Sequence, residues 1–164
     1  MGLTNGQAYQ TALTNTLANT GVAGVTASAT KVMVNADVLF TIAGGPIAIE
    51  QLQSVCITAN DTTETTLQYS STPTVGSAKT ISGATASLVS ATAGSTVTLN
   101  ATALTTAPDI VAASAGGVAL GANVANKIIV QAGTIKAVVG VGSTTGTWKH
   151  YIRYLPLAPG VTVT

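Results

Sequence analysis

Ionisable side chains are scarce in this chain. Only 7% of its 164 residues are charged, against about 25% in an ordinary soluble domain. The net charge is +1 and the isoelectric point is near 7.9, so there is no basic field to draw in nucleic acid or an acidic lipid surface. Cys56 is the one cysteine, set in the apolar run "SVCITA". It allows neither an intrachain disulfide framework nor a cysteine-based metal site, and it reads as a small buried hydrophobe. His150 is the one histidine, so a metal or acid–base role would need partners of other kinds. The five acidic residues are scattered and form no carboxylate pair of the sort that glycoside hydrolysis requires. No apolar stretch reaches the roughly 18 residues of a membrane-spanning helix, and the first residues lack the basic and apolar blocks of a secretion signal.

Recognisable catalytic and ligand motifs are equally thin. No G-x-S-x-G elbow occurs, and a serine–histidine–aspartate set would have to draw on His150 with Asp37 or Asp109. Gly116 and Gly121 have phosphate-loop spacing, but Ala122 stands where lysine is required. Gly140, Gly142 and Gly146 miss the dinucleotide spacing. Asn60, Asp61 and Glu64 in "NDTTE" offer oxygens, yet the segment reads as a turn rather than a calcium loop. The sequons at Asn60 and Asn100 count only in a eukaryotic secretory setting. No catalytic, cofactor-binding or metal site is expected.

What the chain does have is Thr, Val, Ala, Ser and Gly. Apolar residues make up 46% but aromatics only 4%. β-Branched Thr and Val favour the pleated surface of a strand, and 17 Gly with 5 Pro supply turns. The mean hydropathy of +0.49 argues against disorder. Residues 1–30 carry no charge and read as an extended N-terminal arm, either mobile or laid on a neighbour; Tyr9, Leu13 and Leu17 have the spacing of one weak helical turn and are interface candidates. Residues 31–164 read as a β-sandwich domain.

Within that domain, Val32, Val34, Ala36, Val38, Phe40 and Ile42 alternate and predict one strand beginning at Lys31. Gly44-Gly45 predicts a turn, and Pro46 opens the returning strand. In "IAIEQLQSVCITA" the apolar parity changes between Ile49 and Leu52 and returns at Val55 and Ile57, which predicts a bulge near Gln51. "ETTLQYS" predicts a strand with Leu67 and Tyr69 inward. "KTISGATASLVS" and "STVTLNATAL" predict weak strands, and "KIIVQAGTIKAVVGVG" predicts a hairpin turning at Ala132-Gly133. Short strands recurring without long helices give an all-β fold: an antiparallel β-sandwich, jelly-roll or small barrel.

The segment "GTWKHYIRYLPLAPG", residues 146–160, concentrates chemistry. It holds half of the aromatic residues, the one histidine and two of the six basic residues. As a strand it puts Trp148, His150, Ile152 and Tyr154 on one face and Lys149, Tyr151 and Arg153 on the other. The first set predicts a core face whose rings fill an interior of small residues. The second is too thin a basic patch for nucleic acid and predicts an interface. A carbohydrate-binding sandwich would use Trp148 and Tyr151 as stacking platforms, but alternation sends them to opposite faces.

The longer stretch "GTIKAVVGVGSTTGTWKHYIRYLPLAPGVTV", residues 133–163, together with "APDIVAASAGGVAL", resembles small virion proteins of tailed bacteriophages. There, a Gly-Thr-Ile strand, a Gly/Thr turn, an aromatic strand ending in Tyr-x-Pro-Leu and a Gly-Val tail recur. The resemblance implies a capsid decoration (cement) protein, made in the bacterial cytoplasm and seated on the major capsid protein lattice as a homo-oligomer, often a trimer. A tail-tube, fibre or head-fibre component is the alternative. Composition alone points the same way: so little charge on so many strand edges predicts flanks covered by other subunits, with no cofactor, nucleic acid or membrane as partner.

Overall fold

The computed structural model describes residues 24–100, 104–111, 127–142 and 145–164. Tyr9, Leu13 and Leu17, and with them residues 1–23 of the expected arm, lie outside the described residues. Strand pairing starts earlier than Lys31, at β1 (Gly24–Ala27). Along the chain follow β2 (Lys31–Val32), β3 (Val38–Ala43), β4 (Ile47–Thr58), β5 (Leu67–Pro73) and β6 (Lys79–Thr80). Then come β7 (Thr96–Thr98), β8 (Asp109–Val111), β9 (Ile128–Val130), β10 (Gly133–Val139), β11 (Thr147–Pro156) and β12 (Thr162–Val163).

These strands make two open antiparallel sheets that do not close into a barrel. In the first, β11 and β4 are central; β1 and β2 share the outer edge of β11, β7 and β9 share the outer edge of β4, and β8 pairs with β7. The second runs β12-β3-β10-β5-β6. The chain shuttles between them. β2, β4, β9 and β11 belong to the first sheet, whereas β3, β5, β10 and β12 belong to the second. The late strands are inserted between the early ones: β11 lies between β1 and β4, and β10 between β3 and β5. An alternating, interleaved order of this kind is that of a double-sheet jelly roll.

Shuttling corrects three sequence expectations. The turns at Gly44-Gly45 and Ala132-Gly133 are corners that carry the chain across the sandwich, not hairpins. Gly133 illustrates the constraint: its φ is +150°, and a Cβ there would strike the Thr72 carbonyl oxygen. The alternating run from Lys31 to Ile42 is broken too. Ala36 adopts a left-handed φ of 65°, Val34 is 57% exposed while Met33 is buried, and only Phe40 and Ile42 keep the expected inward phase. A two-residue periodicity cannot continue through a segment that changes sheets.

The bulge expected near Gln51 is present. Arg153 pairs with Gln51 and Tyr154 with Ile49, so Glu50 is the extra residue on β4. Ile47 and Ile49 are buried before it, and Leu52, Ser54 and Cys56 after it. The expected return of phase at Val55 and Ile57 does not occur; both point away from the core, and Ile57 is 45% exposed. The sequence misleads because Ser54 and Cys56, although not large hydrophobes, are the residues turned inward.

The two strands expected between Lys79 and Leu104 shrink to β6 and β7. The residues between them cover the edge of β5 with hydroxyls and loop backbone. The Tyr69 N–H donates to Ser82 Oγ at 2.9 Å, and the Leu67 N–H to Thr85 Oγ1 at 2.9 Å. The Ile81, Thr85 and Leu88 N–H groups donate to the carbonyls of Tyr69, Leu67 and Thr65 at 2.9, 2.8 and 2.7 Å. This is why Ser and Thr are so frequent here: buried backbone needs partners, and short hydroxyl side chains supply them where a strand does not.

Leu67 and Tyr69 face inward as expected and are fully buried. Trp148, Phe40, Ile135, Leu52 and Ile152 pack with them between the sheets. Each such side chain contributes about 1.5–3 kcal/mol by leaving water.

Candidate functional site

Strand β11 divides its chemistry as its alternation predicts. Trp148, His150, Ile152 and Tyr154 are buried; Lys149, Tyr151 and Arg153 lie on the outer surface of the first sheet. Tyr151 is half-buried, with the Lys149 ammonium 5.6 Å from its ring centroid. Arg153 Nε bonds Glu50 Oε2 at 3.0 Å, and Lys127 Nζ bonds the other carboxylate oxygen at 2.8 Å. The Lys127 hydrogen bond, with the charges of Lys127 and Arg153, holds the Glu50 carboxyl below its ordinary value despite partial burial.

Gln53 lies opposite Tyr151 on β4, and β1 lies on the other side, with Val25 opposite Arg153. The three expected interface residues of the strand therefore stand together on the outward face of the first sheet. Glu50, Lys127 and Val25 join them without any sequence signal, because only the interleaved sheet order brings residues 25, 50, 127 and 153 into adjacent rungs.

The inward face of the same strand holds a buried polar chain. His150 Nδ1 lies 2.6 Å from Ser54 Oγ, and that oxygen lies 2.7 Å from Tyr69 Oη. His150 is on β11, Ser54 on β4 and Tyr69 on β5, so the chain ties the two sheets through the core. Burial pushes the imidazole down to about 4; the Asp37 carboxylate opposes the shift and the Lys31 ammonium adds to it. Burial drives the Tyr69 phenol upward, with the Ser54 hydrogen bond acting the other way. With a neutral imidazole accepting at Nδ1, the Tyr69 hydroxyl donates to Ser54 Oγ and the Ser54 hydroxyl donates to His150, so both hydroxyl protons are used.

Ser54 thus meets the one histidine, but its hydroxyl is fully buried and shared with Tyr69. The Asp37 carboxylate is 3.1 Å from Lys31 Nζ. A nucleophile needs access to its substrate, and Ser54 has none here.

Asn60 is likewise committed to structure. The Trp148 indole N–H donates to its Oδ1 at 2.9 Å, and its Nδ2 donates to the Leu88 carbonyl at 2.9 Å. The neighbouring Asp61 Oδ1 accepts the Thr63 N–H at 2.9 Å, closing the turn expected at "NDTT". Cys56 is buried as expected; desolvation raises its thiol above the ordinary value. Among the described residues, no three His, Cys, Asp or Glu side chains come together as a metal site. A cleft of about 170 Å³ opens between the second sheet and β9, lined by Ser71, Lys79, Ile81, Leu104, Ile128 and Val130 among others.

Comparison with family models, with curated proteins and with solved structures finds no match to this chain.

Proposed function

We propose that this chain is a structural virion protein, acting as a capsid decoration (cement) protein that binds and stabilises the major capsid protein lattice as a homo-oligomer. The observation that carries the reading is the division of labour on β11. Its histidine and large rings are used to lock the two sheets together, while Lys149, Tyr151 and Arg153 are presented on an open sheet surface. Arg and Tyr are favoured contact residues, and the same surface carries apolar Val25 at 71% exposure. The jelly-roll strand order supports the reading by analogy, since viral capsid and lectin domains use it, although fold alone does not fix function.

Co-sedimentation with assembled shells tests the proposal. The chain is expected in the shell pellet and in virion images at the capsid surface; location at the tail favours a tube or fibre component instead. Failure to bind any virion part overturns both. The carbohydrate-binding alternative has lost one of its two platforms, because Trp148 is fully buried and bonded to Asn60.

A further inference from the structure

Charge is not spread evenly along the sandwich. One end is formed by the β2–β3 turn, the β4–β5 loop and the start of the β10–β11 loop. Hydrogen bonds bring them together: the Val139 N–H donates to Asn35 Oδ1 at 3.2 Å, and the Gly140 N–H to the Thr66 carbonyl at 3.3 Å. This end carries Asp37, Asp61 and Glu64, three of the five carboxylates, against Lys31. It also exposes Val34, Val141 and Val89 at 57, 56 and 43%. Val89 sits beside the acidic loop, because the Ser90 N–H donates to the Asp61 carbonyl at 2.9 Å.

The opposite end of β4 has the opposite sign. Lys127 and Arg153 flank the single carboxylate of Glu50, and Lys79 lines the apolar cleft beside β9, where Ile129 and Leu104 are 61 and 49% exposed. Each end therefore combines exposed aliphatic side chains with an excess of one sign of charge, part of it paired within the chain through Lys31–Asp37 at the acidic end and Glu50 at the basic end. Two copies meeting like end to like end would place equal charges together. A head-to-tail contact pairs opposite charges and lets an exposed valine of the acidic end meet the cleft.

We infer that the acidic loop end of one copy docks on the basic, cleft-bearing end of a second copy. The contact is heterologous, so it closes into a ring or extends as a stack according to the rotation between copies. Complementary charge sets register and encounter, while the aliphatic contact supplies most of the affinity. The inference rests on the assembly role proposed above and names the surfaces that would serve it.

Charge exchange in the full chain tests it. Glu64→Lys and Lys127→Glu are each expected to weaken self-association about tenfold, read by sedimentation and light scattering across a concentration series. An equimolar mixture of the two is expected to recover assembly through the restored pair. Lys136→Glu, midway along β10, is expected to leave assembly unchanged; thermal unfolding checks that each variant is folded. The inference is overturned if the wild type stays monomeric throughout, if neither end variant weakens assembly, if the mixture fails to recover, or if Lys136→Glu weakens it equally. The same samples are tested for binding to shells. A monomer that still pellets with shells sinks the head-to-tail contact alone, and one that does not sinks the decoration role as well.

Discussion

His150 is the residue on which acid sensitivity should turn. Its imidazole titrates near 4 in the fold and near 6.5 in the unfolded chain, so between these values the unfolded state binds the extra proton. Stability from this group is complete above about pH 6.5 and is lost as pH falls towards 4. The loss is at most roughly 3 kcal/mol. Urea unfolding of the wild type should show a lower midpoint at pH 4.5 than at pH 7, and His150→Gln should flatten that difference. Glu50 acts in a lower window: its depressed carboxyl favours the fold above its ordinary value of 4.5, and that contribution is lost as pH drops further. Asn60 gives a second residue-level expectation. Asn60→Ala strands the buried Trp148 indole N–H and takes one of two donors from the Leu88 carbonyl, which keeps the Ala91 N–H, at a cost of about 1–3 kcal/mol. A lowered melting temperature with altered tryptophan fluorescence would register it; an unchanged melting curve would contradict the assigned network.

Among the elements, β5 depends most on residues that are not strands. One of its edges meets β10, while much of the other meets Ser82, Thr85 and the backbone around them. Ser82→Ala leaves the Tyr69 N–H without its side-chain acceptor. A loss of about 1–3 kcal/mol is expected in chemical denaturation, with faster hydrogen exchange at Tyr69. A surface serine substitution would fall within about 0.5 kcal/mol, so the size of the effect separates the two roles. The bulge on β4 works at the same scale. It lets one strand bury Ile47 and Ile49, then Leu52 and Ser54, and it places Glu50 between Lys127 and Arg153.

For the whole molecule, the exposed valines and isoleucines at the two ends are the feature that a neighbour would cover. If assembly buries them, the melting temperature should rise with protein concentration, since association stabilises only the folded state. Differential scanning calorimetry over a hundredfold concentration range checks this. A melting temperature independent of concentration would mean that the folded subunit is stable without its copies. Raised salt should weaken assembly where the opposed charges lie, because exposed pairs are screened within about 10 Å at 0.1 M.

Amphipathic alternation and turn chemistry were enough to make this an all-β sandwich. They also gave the inward face of β11, the outward Lys149, Tyr151 and Arg153, the inward Leu67 and Tyr69, and the bulge beside Gln51. These are local properties: a side chain's face follows from its neighbours in sequence. Which sheet each strand joins is not local. The tertiary structure alone made corners of Gly44-Gly45 and Ala132-Gly133, turned Ser54 inward to meet His150 and Tyr69, and brought Glu50 between Lys127 and Arg153. Those outcomes depend on pairing strands about a hundred residues apart, and the energy that selects one pairing over another comes from packing two faces together, which no single strand's pattern contains.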